Sequence, residues 1–185
     1  LEDSCDAMGS FYDGKKLGSF GLMSSCSFYP AHHMTMGEGG FVATDDPRLR
    51  RVLASFRDWG RACYCNEIKP GDVTEGTACG NRFRPWLKGG EERINYDHRY
   101  VFDEIGFNLK PLELQAAIGL QQLDKLPEMD SARRRNFSSL NKIFEKYEDY
   151  FILPKKTDKS DPNWFGYLLT VKENSGFPRE DFVRH

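Results

Sequence analysis

Two groups of residues could do chemistry by their types and spacing. The first is the adjacent pair His32 and His33, in the stretch "SFYPAHHMTMGEGG" at 27–40, half of the four histidines in the chain. Imidazole has an unperturbed pKa near 6.5 and moves protons at neutral pH. One member of the pair therefore reads as a general base; the plainer alternative is a packed or surface polar pair. The second group is five cysteines, at positions 5, 26, 63, 65 and 79. Their odd number and the closeness of Cys63 and Cys65 fit a disulfide framework poorly. A C-x-C pair followed by a third Cys in the same irregular stretch can wrap thiolates around a soft metal. Zinc and iron–sulfur centres both accept four thiolates. Spacing alone favours zinc over iron, with buried inert thiols as the other reading.

The elements that must position these residues alternate between helix and strand patterns. "LEDSCDAMGS" reads as the end of a buried strand entering a turn, and "SSCSFYP" as a strand ended by Pro30. "GEGGFVATDD" reads as a glycine turn and a short strand over 41–44. Asp46-Pro47 predicts a helix start, Asp as N-cap and Pro in the first turn. Leu49, Val52, Leu53 and Phe56 follow at helical spacing, and Trp59-Gly60 ends the run. Residues 61–100 read as a long irregular loop, a type that is usually functional. Pro111 opens a helix with Leu112, Ala116, Leu120 and Leu123 on one face. Pro127 is expected to break or kink it. A second helix then runs to about Tyr147 with Phe137, Leu140, Phe144 and Tyr147 inward. "YFILP" and "WFGYLLTV" are strand-like, and "FPREDFVRH" reads as a helix just starting. The two ends suggest an internal piece of a longer protein.

Composition narrows the class. The chain has 185 residues, 39% apolar and 14% aromatic, enough for a packed core. Its net charge of −2 is spread over interspersed acids and bases, which argues against the basic stripe of a nucleic-acid binder. The arginines at 48, 50, 51, 57 and 61 read as a solvated helix face with structural ion pairs. No apolar run approaches the ~20 residues of a membrane span.

Several segments taken together carry a resemblance: "LEDSCDAMGSFYDGKKLGSFGLMSSCSFYPAHHMTMGEGGFV", "SFRDWGRACYC", "CGNRF", "YDHRYVFDEIGFNLKPLELQAAIGLQQLDKL" and "SDPNWFGYLLTV". The chain resembles the sugar aminotransferase-like family of pyridoxal phosphate enzymes, and within it the CDP-4-keto-6-deoxy-D-glucose 3-dehydrase branch. The resemblance implies an α/β, fold-type-I (aspartate aminotransferase-like) architecture lacking the N-terminal part of the large domain and the end of the C-terminal domain. Residues 1–126 would belong to the cofactor domain, with an iron–sulfur loop at 61–100. Residues 127–185 would form a connecting helix and the start of the small domain.

The same resemblance implies roles. Ordinary members carry a lysine, bonded to the cofactor aldehyde, where this chain has His32. Imidazole cannot make that bond, so the implied cofactor form is pyridoxamine phosphate and the implied reaction is 3-dehydration of a sugar. His32 would take the C4′ proton, and His33 lies one residue past the lysine position. Asp3 matches the acid that pairs with the pyridine nitrogen. Asp6 stands where aminotransferases often have Gln, and Tyr29 where they tend to have His. Ser27 matches a cofactor-phosphate contact, and Asn108 a residue that reaches the phosphate of the neighbouring subunit in a homodimer. Lys110 replaces a more usual Arg. Cys5, Cys63, Cys65 and Cys79 match the ligands of a [2Fe–2S] cluster, while Cys26 has no counterpart. Thirteen residues separate Cys65 from Cys79, longer than the family's usual gap; a longer loop adds only about 0.6 kcal/mol per doubling. The implied substrate is a CDP-linked 4-keto-6-deoxy sugar. The implied partner is an NADH-dependent iron–sulfur flavin reductase, and the implied location is the cytoplasm.

Overall fold

The computed structural model describes residues 1–62 and 83–185. In chain order the strands and helices are β1 (Glu2–Asp3), β2 (Phe11–Tyr12), β3 (Lys15–Lys16), β4 (Ser24–Ser27), β5 (Gly40–Ala43), α1 (Pro47–Arg57), β6 (Phe83–Gly89), β7 (Glu92–Asp97), α2 (Glu113–Phe144), β8 (Phe151–Ile152), β9 (Ser160–Asp161), β10 (Thr170–Val171) and α3 (Arg179–Arg184). They fall into two units, one of Leu1–Ala43 with Leu112–His185, the other of Thr44–Pro111.

In the first unit β4 is the middle strand of three, parallel to β1 and antiparallel to β5. Along β4 burial alternates, with Ser24 and Cys26 inward, the period-2 pattern of a strand with one face covered. β2 and β3 form a hairpin through Asp13 and Gly14, whose φ values of 49° and 74° are those a two-residue I′ turn demands. β9 pairs with the other edge of β2. Gly119 of α2 is buried, and a Cβ there would meet Met36 Cγ at 2.7 Å. A glycine is thus required where α2 lies against the turn that carries the two histidines. Further along α2, Phe137 stacks on Trp164 at 3.7 Å and Phe144 packs edge-on against Phe151 at 5.8 Å. Phe151 also meets Phe182 of α3 at 5.0 Å. Of these rings Phe151 is fully buried, and full burial of such a side chain contributes roughly 1.5–3 kcal/mol.

Two expectations about α2 are corrected. The helix does not stop at Pro127 but continues as a single element of 32 residues. Proline removes one backbone donor, and Ser131 Oγ donates to the Pro127 carbonyl at 2.9 Å, adding a bond one turn on. The apolar stripe at the start of α2 is not covered by the described residues: Leu112, Leu120 and Leu123 are all exposed. Phe137 and Phe144 turn inward as expected, whereas Leu140 and Tyr147 stay exposed.

In the second unit α1 starts where the sequence placed it. Asp46 caps the helix by accepting from the backbone N–H of Arg48 (2.7 Å) and Leu49 (3.3 Å). These bonds hold its carboxyl below the ordinary value. After the helix the chain turns through Trp59 and Gly60, with φ of 58° and 79°. The Asp58 carboxylate gathers Lys110 (2.8 Å) and Arg61 (3.2 Å). Both cations also lie over the Trp59 ring, a cation–π arrangement. The expectation of an irregular loop across 61–100 is corrected over part of its length, because β6 and β7 form an antiparallel hairpin. Its register slips between Pro85 and Leu87. A proline inside a run demotes it as a strand, and charged residues between Ile94 and the turn hid the alternation.

Candidate active site

The site is built on the ends of two parallel strands. β1 and β4 pair Glu2 with Ser24 and Asp3 with Ser25, so their carboxyl ends, Asp3 and Ser27, lie on the same side. In α/β sheets that edge is where ligands bind. Asp3 Oδ1 accepts the backbone N–H of Cys5 at 3.1 Å. The Cys5 thiol, then its backbone N–H, then the charge of His32 hold the Asp3 carboxyl below its usual range. Asp3 is therefore a settled anion at neutral pH. Ser27 Oγ accepts from the Tyr29 backbone at 3.2 Å, which leaves its own O–H to donate elsewhere.

Beyond β4 the chain makes the turn that carries the histidines. The His32 backbone N–H donates to the Tyr29 carbonyl at 3.0 Å, and Met36 N–H to Phe28 at 2.9 Å. His32 Nδ1 lies 2.8 Å from Asp6 Oδ1. An ionised carboxylate only accepts, so the proton of a neutral ring sits on Nδ1 and the lone pair on Nε2. The ring is 20% exposed, reachable by a ligand. His33 differs in each respect. It is 2% exposed, and its Nε2 donates to the Asn163 carbonyl at 2.8 Å. Its lone pair, on Nδ1, is buried without a partner. Of the two histidines, His32 is the more accessible and is paired with a carboxylate, while His33 is buried and bonded to a backbone carbonyl.

The structure thus brings Asp3, Asp6, Ser27 and His32 together on one edge of the first unit. Asn108 lies in the second unit, exposed and bridged to Asp58. Cys5 sits beside Asp3, whose carboxylate, followed by burial, pushes its thiol pKa up. Burial pushes the Cys26 thiol up to about 11, and its Sγ lies 3.6 Å from the Ser4 carbonyl as a donor. Cys26 reads as an inert core thiol. Cys63, Cys65 and Cys79 lie outside the described residues. Among the described residues no group of three or more His, Cys, Asp or Glu could hold a metal ion, so of the four matched ligands Cys5 alone has described surroundings.

Two features were not read from the sequence. Glu2 accepts the backbone N–H groups of Gly18, Phe20 and Gly21, and so ties the 18–21 loop to β1. Asn163 is 1% exposed and bonds to Ser10, Met8, Asp130 and His33. Neither has a spacing signature, since each partner is far away in sequence.

The whole chain, residues 1–185, matches the model of the DegT/DnrJ/EryC1/StrS aminotransferase family, and the chain belongs to that family. It is 46% identical over 185 residues to the lipopolysaccharide biosynthesis protein RfbH of Salmonella typhimurium, covering 100% of this chain and 40% of that protein. It is 44% identical over 183 residues to the dTDP-4-dehydro-2,6-dideoxy-D-glucose 3-dehydratase of Saccharopolyspora spinosa, covering 99% of this chain and 38% of that one. Among solved structures it is similar to the E. coli GDP-4-keto-6-deoxy-D-mannose-3-dehydratase with bound hydrated PLP. There the TM-score is 0.76 at 33% identity, over 100% of this chain and 42% of that one. The expected α/β aminotransferase fold is met. The chain spans about 40% of the length of these curated relatives. Among the described residues no helix is long and apolar enough to cross a membrane.

Proposed function

We propose that the whole protein is a pyridoxamine phosphate-dependent, [2Fe–2S]-containing nucleotide-sugar 3-dehydratase. Its substrate is a CDP-linked 4-keto-6-deoxyhexose, and it acts in the cytoplasm in the making of 3,6-dideoxyhexoses for lipopolysaccharide O-antigen. The observation that carries the reading is the Asp6–His32 pair, 2.8 Å apart, at the position the resemblance gives to the covalent lysine. The named activities of the relatives, sugar 3-dehydratases on dTDP- and GDP-linked sugars, support the reaction class; the CDP nucleotide rests on the resemblance alone.

The residues fit the cofactor. Asp3, held ionised, suits a protonated pyridine nitrogen, and Ser27 has a hydroxyl free to donate to a phosphate. Pyridoxamine phosphate, when bound, would supply an electron sink linked to the sugar C4, with the C4′ proton passing to a base of the chain and the C3 hydroxyl leaving as water once it has taken up a proton. The chain's own residues supply the rest. His32 Nε2 receives the C4′ proton, and the imidazolium so formed is stabilised by the Asp6 carboxylate on Nδ1. Asp3 keeps its charge on the ring nitrogen. Asn108 reaches the phosphate held by the partner copy, which makes the active unit a homodimer. Cys5, with Cys63, Cys65 and Cys79, would hold the cluster that receives single electrons from an NADH-dependent iron–sulfur flavin reductase.

Two measurements on the whole protein test this. Borohydride should leave no pyridoxyl group attached to any lysine of the chain; a stable pyridoxyl-lysine adduct overturns the His-for-Lys reading. Analysis should find about two irons and two sulfides per chain, bleached by Cys5→Ser but not by Cys26→Ser. A colourless active protein would make it a cluster-free dehydratase, and one bound zinc without turnover would make it a binding module.

A further inference from the structure

We infer that Asn163 is a positioning residue that sets the distance between Asp6 and His32. The inference rests on the reading of His32 as the base.

Asn163 makes four hydrogen bonds through three polar groups. Its backbone N–H donates to Ser10 Oγ at 2.8 Å, and its side-chain amide donates to the Met8 carbonyl at 2.9 Å. The same amide donates to Asp130 of α2, and its backbone carbonyl accepts from His33 Nε2 at 2.8 Å. Met8 and Ser10 follow Asp6 by a few residues, and His33 follows His32 directly. The chain between Asp6 and Ser10 has little slack. Ala7 N–H closes back on Ser4 at 3.1 Å and Ser10 N–H on Ala7 at 3.0 Å. One residue thus grips both chain segments whose side chains must meet, and Asp130 fastens that residue to a helix.

Two further observations agree. Gly9 has φ of +78°, and a Cβ on it would meet Asn163 Nδ2 and an Asp130 carboxylate oxygen, both at 2.8 Å. The Asp6–Ser10 segment therefore lies flush against the hub. Asn163 and His33 are also among the most deeply buried side chains, 1% and 2% exposed. A bond broken by a shift of either is not readily replaced by solvent, so the hub holds one arrangement. Small misplacements of a reacting group cost rate steeply, about 10²-fold for 1 Å.

The test uses the whole protein loaded with pyridoxamine phosphate, with CDP-4-keto-6-deoxyglucose as the probe. Asn163→Ala should lower kcat by roughly 10–10²-fold with KM changed by no more than about threefold. Asp130→Asn, which keeps the size but weakens the anchor, should lower kcat less and in the same pattern, and serves if Asn163→Ala does not fold. The deciding readout is non-additivity. In a His32→Asn background, either substitution should cause no further fall. The same fall in both backgrounds would mean a general structural role and would overturn the inference. Wild-type kcat in Asn163→Ala and Asp130→Asn, with His32→Asn impaired, overturns this inference alone. Wild-type kcat in His32→Asn overturns the assignment of the base itself.

Discussion

Replacing His32 and His33 by asparagine, one at a time, should separate catalysis from stability. A positioned general base contributes about 10²–10⁴-fold, which is roughly 2.7–5.4 kcal/mol of barrier at 1.36 kcal/mol per decade. His32→Asn removes the accessible Nε2 lone pair and should slow turnover by that factor. Its cost to stability should be small. The pair it breaks involves a carboxylate that is 58% exposed, and such pairs are worth about 1 kcal/mol or less. His33→Asn should do the reverse. The shorter side chain cannot span the 2.8 Å bond to the Asn163 carbonyl, and an acceptor left buried without its donor costs about 1–3 kcal/mol. Turnover should fall less than in His32→Asn, through a loosened turn rather than a lost base. The assay for the first effect is exchange of the C4′ hydrogen of bound pyridoxamine phosphate with solvent in the presence of substrate. Urea unfolding measures the second. Exchange that survives in His32→Asn but vanishes in His33→Asn would refute the reasoning and make His33 the base.

Glu2 should act as an acid-sensitive clasp. The backbone donors of Gly21, Gly18 and Phe20 hold its carboxyl below its ordinary 4.5. The unfolded chain thus takes up the proton first as pH falls, and the bonds contribute fully above pH 4.5 and are lost as pH drops through the lowered value. Hydrogen exchange at Gly18, Phe20 and Gly21 should quicken over that window and already be fast at neutral pH in Glu2→Gln; unchanged protection in the variant would contradict the clasp. Gly60→Ala should destabilise by about 3 kcal/mol or more, because its Cβ would stand 1.8 Å from the Glu104 carbonyl oxygen, a backbone atom that cannot swing aside. Gly14→Ala meets nothing within 4 Å and should cost only about 1–2 kcal/mol for its positive φ. Equal shifts in the urea midpoint would show that steric approach does not matter at Gly60.

The sequence by itself determined those parts whose physics is local. Asp46 and Pro47 start α1 because a cap reaches only two or three residues; the Asp13-Gly14 hairpin is equally local, though it was found in the structure and not read beforehand. "SSCSFYP" is a strand by its own pattern, and the family motif marked His32, Asp3 and Ser27. The tertiary structure decided what depends on distant partners. It set the two histidines apart, placing His32 against an acid six residues into the chain and burying His33 against a carbonyl 130 residues away. It carried α2 through Pro127, where local preference said to stop, since aromatic packing on Trp164 and Phe151 outweighs one lost backbone bond. It also set Asp6 against His32, a contact that nothing in the spacing of the two residues announces. Asn163 had no motif to announce it, because a residue that bonds to three distant stretches of chain acquires its role only when folding brings them together.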